Sequence, residues 1–308
     1  MSEKIIEQIN DYEAISKGDM PGDQIKINEL HIAKAKTIFP RLLELLNPIL
    51  NSNSSEKAVV SVYGGSGVGK SEIGALLSHF LNAMNLKSYI LSGDNYPHRI
   101  PRVNDAERLR VFQESGIKGL VSQREYREER NILLQELQKT GKDVDPNSLG
   151  DYPWLSAYQE AGVSGLKKYL GTSCEIDFDE LNTIINQFKC GKKDIILKRM
   201  GRNETELWYD SIDFSHTKIL IIEWTHGNNG ELNGVDIPIL LNSTPQETLE
   251  HRRLRNRDGG TDSSFTMTVL SIEQELLKSQ ASSARLIVAK NGDIISYEEY
   301  RKLMGVNL

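Results

Sequence analysis

The sequence predicts a doubly wound α/β domain, a parallel sheet with helices on both faces, and three observations predict it. Short apolar and β-branched runs alternate with helical patterns along most of the chain. The first run, Ala58–Tyr63, opens directly into a glycine loop and an amphipathic helix. The second, Ser88–Leu91, completes a strand–helix–strand unit, which demands parallel strands and a right-handed crossover.

In chain order, residues 1–50 read as helical. A second helix is expected from about Asn28 to Leu50, because Leu30, Ala33, Ile38, Leu42, Leu45, Leu46 and Ile49 fall roughly on one face. Asn51–Ser55 is a polar break. The chain therefore divides into a helical extension, 1–55, and a main domain, 56–308. Within the main domain, Ile73, Leu76, Leu77, Phe80, Leu81 and Met84 set a helix over 70–84. Residues 105–140 read as mainly helical, with Gln123–Arg130 as a solvated helix face laced with Glu and Arg. A loop over 141–153 precedes helices over 155–170 and 178–188. Strands are expected at 194–197, 218–222, 237–241 and 285–289. Helices are expected near 245–256, 265–280 and 297–304. The stretch of about 99–176 then forms a helical insertion in the sheet, read as a substrate cap or a homodimer surface.

Composition narrows the function. Among 308 residues, 37 basic and 43 acidic side chains give a net charge of −6, which argues against nucleic acid or an anionic membrane as partner. No apolar run reaches the length of a membrane span, and the first residues lack the apolar core of a signal peptide. Cys174 and Cys190 have no metal-ligand spacing and are too few for a disulfide scaffold. A cytoplasmic protein is expected.

The glycine loop is Gly64-Gly65-Ser66-Gly67-Val68-Gly69-Lys70-Ser71, a G-x-x-x-x-G-K-S string between a strand and a helix. Glycines let the backbone wrap phosphates with its N–H groups inward, and the helix aims its N-terminal dipole at the same anion. Lys70 is expected to neutralise the β- and γ-phosphates and Ser71 to hold Mg²⁺. ATP and Mg²⁺ are the cofactors this implies. The N-K-x-D and D-x-x-G strings of a GTPase do not occur after Ser71. The 219–222 strand ends in Glu223-Trp224 rather than in the Asp of an ATP-driven motor.

Other candidates follow from position. Asp94 ends the second strand, where a carboxylate faces the ligand crevice and can take a hydroxyl proton. Glu223 ends a core strand and is expected to orient Mg²⁺. His226, in the same loop, reads as structural. Arg253 and Arg257 share a helix face in the densest basic cluster, followed by Gly259-Gly260, and read as lid residues that stabilise transferring phosphate. Arg199 and Arg202 read as contacts for an anionic acceptor, with Tyr96 and Arg99 also on the acceptor side.

These residues carry a resemblance. The loop GGSGVGKS, the segment Ser92-Gly93-Asp94-Asn95-Tyr96, the run Ile221–Gly227 and the Arg252–Asp258 cluster together resemble the uridine kinase, phosphoribulokinase and pantothenate kinase group of P-loop kinases. That resemblance implies transfer of the ATP γ-phosphoryl group to a hydroxyl of a small metabolite, with Asp94 as base. It extends over about 58–296, and Lys198–Arg202 replaces the group's usual Tyr/His acceptor motif. Leu91–Asn95 with His98-Arg99 is also similar to a segment of adenylylsulfate kinases. A nucleotide-binding regulator without transfer activity is the reading from another class.

Overall fold

The computed structural model describes residues 15–52, 56–201, 203, 205–250 and 263–306. Its elements are α1 (Glu29–Ser52), β1 (Ala58–Gly64), α2 (Lys70–Ala83), β2 (Ser88–Ser92), α3 (Pro101–Ser122), α4 (Glu128–Lys139), α5 (Leu155–Lys167), α6 (Phe178–Lys189), β3 (Asp194–Met200), β4 (Leu207–Asp213), β5 (Ile219–Trp224), β6 (Ile237–Leu241), α7 (Ser264–Gln280), β7 (Leu286–Val288), β8 (Ile294–Ile295) and α8 (Tyr297–Met304). The chain divides into two compact units, one of residues 1–96, 177–244 and 276–308, the other of 97–176 and 245–275.

The first unit holds the sheet. Its order is β2-β5-β1-β6-β7-β8, parallel apart from the β7–β8 pair. Strands β1, β5 and β6 are buried from end to end, as strands covered on both faces must be. Val60, Val62, Ile221 and Ile239 meet Ile38, Phe39 and Leu42 of α1 and Leu76, Leu77 and Phe80 of α2 on one face. Phe39 and Phe80 pack edge to face, 5.3 Å between centroids. Tyr63, Leu240 and Ile287 meet Leu277, Ala281 and Tyr300 on the other. The doubly wound sheet is therefore as expected, with the C-terminal ends of β1, β2 and β5 side by side.

Three expectations need correction. Residues 15–28 form no helix, because Gly18 and the Pro21-Gly22 turn break it. The strand at 194–200 does not enter the main sheet. It pairs antiparallel with β4, a strand the sequence reading missed. Four consecutive β4 residues, Leu207-Trp208-Tyr209-Asp210, show no clean apolar–polar alternation, and Leu207, Trp208 and Tyr209 are exposed. Finally, 123–127 is a break rather than a helix face: Arg124 has a left-handed φ of 59°, and Arg130 donates to the Glu125 carbonyl at 2.8 Å. Of the helix expected near 245–256, residues 251–256 lie outside the described residues.

The second unit is helical. Phe112 of α3 packs edge to face on Tyr158 of α5, 5.7 Å apart, and on Phe265 of α7. At its base the buried Glu175 accepts from Arg108 Nε (2.6 Å), Asn104 Nδ2 (2.9 Å) and the Gly171 N–H (2.7 Å). Cys174 is exposed in this unit and Cys190 in the first.

Candidate active site

The phosphate loop joins β1 to α2. Gly69 sits at φ 94°, a left-handed conformation costly to any side chain, and a Cβ there would lie 3.1 Å from His31 Nε2. Gly69 is also the cap residue of α2 and makes no side-chain cap hydrogen bond; a helix N-terminus behind a glycine loop is a place where phosphate binds. Lys70 opens the helix and folds its ammonium back over the loop, donating to the Gly65 carbonyl at 3.0 Å. His31 is held at the start of α1, where its backbone N–H donates to Asn28 Oδ1 at 3.0 Å.

Glu223 comes next, in register with Ser92 on β2 and Val62 on β1. Its carboxylate accepts from Ser71 Oγ at 2.9 Å and from Ser92 Oγ at 3.0 Å. Burial, reinforced by the Asp94 charge, pushes the Glu223 carboxyl up to about 7, against the pull of Lys70, Ser71 and Ser92. Asp94 lies exposed in the single turn Gly93–Asn95 that follows β2. A Cβ on Gly93 would stand 2.1 Å from Trp224 Cγ, so glycine is what lets this turn close onto β5. Trp224 also meets the ring of the buried His226 edge-on at 5.1 Å.

Chemically, the Glu223 carboxylate feels both the Asp94 charge and the Lys70 ammonium beside a phosphate loop. That excess of negative charge suits a divalent cation. Among the described residues no three His, Cys, Asp or Glu side chains could hold a metal together. A hydroxyl and one or two carboxylates, completed by nucleotide phosphates and water, are the donor set that Mg²⁺ takes. Ser71 and Glu223 fit it.

The residues expected on the acceptor side are placed as follows. Tyr96 is fully buried, and its hydroxyl finds no hydrogen-bond partner among the described residues. Arg199 is 5% exposed and donates to Asp19 Oδ2 (2.9 Å) and Tyr89 Oη (2.9 Å), with Asp210 Oδ2 3.1 Å from its Nε. Its fork is taken by protein groups. Arg99 belongs to the second unit, where it donates to Tyr169 Oη at 3.1 Å. Arg202, Arg253 and Arg257 lie outside the described residues. Sequence reasoning missed Ser92, His31 and Asp19. Ser92 carried a faint signal as the hydroxyl next to Gly93-Asp94 at a strand end; the other two carried none.

The chain is 39% identical over 260 residues to a bifunctional alpha-galactosidase/sucrose kinase, AgaSK, of Mediterraneibacter gnavus. The match takes in 84% of this chain and 23% of that protein, so the chain spans less than a quarter of its relative's length. No family model matches. Among solved structures, a D-glycerate 3-kinase from Cryptococcus neoformans var. grubii is 11% identical with a TM-score of 0.44, over 84% of this chain and 98% of that one. A candidate uridine kinase from Bacillus stearothermophilus is 11% identical with a TM-score of 0.41, over 80% of this chain and 98% of that one.

Proposed function

We propose that this chain is an ATP-dependent kinase that transfers the γ-phosphoryl group to a hydroxyl of a sugar. The observation that carries the reading is Glu223 accepting from both Ser71 and Ser92 within electrostatic reach of Lys70, with Asp94 two residues beyond Ser92 on the exposed side. Phosphoryl transfer asks little covalent chemistry of a protein and much positioning and charge stabilisation. Lys70 and the loop amides hold the β- and γ-phosphates. Mg²⁺, when bound on Ser71 and Glu223, neutralises charge on those phosphates. Asp94 takes the proton of the attacking hydroxyl.

Two points support a sugar as acceptor. Of the two activities in the relative's name, phosphoryl transfer is the one a P-loop serves, and the acceptor named there is sucrose. Arg199, expected together with Arg202 to meet an anionic acceptor, is already engaged by Asp19, Tyr89 and Asp210. A neutral polyol needs no such cation.

The experiment is an ADP-release assay with a panel of sucrose, other sugars, glycerate, uridine and adenylylsulfate, run on the native protein and on Asp94→Asn. Turnover is expected with a sugar. The variant is expected to keep ATP affinity and to lose turnover by about 10²–10⁴-fold, the usual worth of a general base. Turnover confined to an anionic acceptor, or unchanged turnover in Asp94→Asn, sinks the proposal.

A further inference from the structure

We infer that residues 15–23 form a positioning strap for the acceptor base, in which Asp19 fixes both flanks of Asp94 and Arg199 fixes Asp19. The role presupposes Asp94 as the base.

Strand β2 ends the sheet order, with β5 as its one strand neighbour among the described residues. The strap lies along it without becoming a strand. From there Asp19 sends in a carboxylate that takes four donors. Oδ1 accepts the Ser92 N–H at 2.7 Å and Asn95 Nδ2 at 3.2 Å; Oδ2 accepts Tyr89 Oη at 3.0 Å and Arg199 at 2.9 Å. Ser92 and Asn95 bracket Gly93-Asp94, so a single side chain ties down the residue before the base turn and the residue that closes it.

The same two residues connect onward. Ser92 gives its hydroxyl to Glu223, the proposed Mg²⁺ ligand, at 3.0 Å. Asn95 Oδ1 accepts the Met200 N–H at 3.0 Å, which sets the end of β3 against the turn. Arg199, the neighbouring β3 residue, returns to Asp19 and also bonds Asp210 of β4. The strap is thus joined to the base turn, the metal carboxylate and the β3–β4 hairpin through one buried carboxylate. It is also tightly fitted. A Cβ on Gly18 would lie 3.3 Å from Ile90 Cγ2 and 3.5 Å from Glu223 Oε1. Lys17 Nζ donates to the Asp23 carbonyl at 2.7 Å and closes the strap on itself, and Met20 is buried. None of the four donors to Asp19 belongs to the phosphate loop, and the path to it runs through Ser92 and Glu223 to Ser71, which predicts a loss in turnover that exceeds any loss in nucleotide binding.

The test compares Asp19→Ala with native protein and repeats the comparison in an Asp94→Asn background. If Asp19 acts by aiming Asp94, Asp19→Ala lowers kcat by about 10- to 100-fold, the penalty for a misplaced reacting group. The KM for ATP stays within about twofold, and the double variant turns over no more slowly than Asp94→Asn alone. Losses that multiply in the double variant, or an unchanged kcat in Asp19→Ala, overturn the strap. Full turnover in Asp94→Asn instead overturns the base assignment, a separate outcome. Should Asp19→Ala not fold, Asp19→Asn, which keeps an acceptor for Ser92, carries the same comparison with an expected loss of about tenfold.

Discussion

Replacing Glu223 by Gln should make the ligand-free protein more stable in alkaline solution and no more stable in acid. The carboxyl is buried beside Asp94 and raised from 4.5 to about 7. A group raised in the folded state gives its full stability below the unfolded pKa and loses it as the pH rises through the folded one. The window therefore runs from about pH 4.5 to 7. Across it, a shift of this size corresponds to about 3 kcal/mol at 1.36 kcal/mol per unit. Glutamine keeps the shape, and the Ser71 and Ser92 hydroxyls can reorient to accept from its amide as well as donate to its oxygen. The assay is thermal melting of both proteins from pH 4.5 to 8.5, following the transition of the unit that holds the sheet. The curves should coincide at the acid end. The variant should gain on the native protein up to pH 7 and then hold a constant lead, on the order of 6 °C for a chain of this size. Saturating Mg²⁺ and ATP should narrow that lead, because they stabilise the charged native site more than the variant. A lead that does not change with pH, or a variant less stable at pH 8.5, would refute the charge balance described for this site.

Other outcomes are expected. Lys70→Ala should weaken ATP binding by about 10- to 100-fold in titration calorimetry, the worth of a charged hydrogen bond to phosphate; unchanged affinity contradicts the phosphate loop. Gly93→Ala forces a methyl onto Trp224, and urea unfolding should show a loss of about 1–3 kcal/mol together with lower kcat. Gly69→Ala meets both the left-handed φ and His31, and should cost ATP affinity and about 1 kcal/mol of stability.

Local chemistry explains what could be read in advance. The phosphate loop, α2, β1 and β5 were legible because each is written in a contiguous string with its own period. The places of Asp94 and Glu223 at neighbouring strand ends were legible from the strand pattern, while their roles belong to the proposal. Asp19 was not legible. Its partners lie at 89, 92, 95 and 199, and nothing in Lys17-Gly18-Asp19-Met20 distinguishes it from a surface turn. The partners of Arg199 were hidden for the same reason, since a buried network and a substrate contact use the same residue type. Strand β4 escaped because Leu207, Trp208 and Tyr209 follow one another on an exposed ribbon, where no core enforces alternation. The break at 123–127 escaped because Glu- and Arg-rich sequence favours helix strongly, and only the backbone turn at Arg124 shows where it stops.

The placement of the two cysteines has a practical use. The chain has two, Cys174 and Cys190, both exposed and carried by different units. A donor and an acceptor dye can therefore be attached to the native sequence, with no thiol to remove and none to add. Energy transfer between them gives an optical ruler across the molecule, and a change in its reading on addition of ATP would report movement between the units in real time, one molecule at a time.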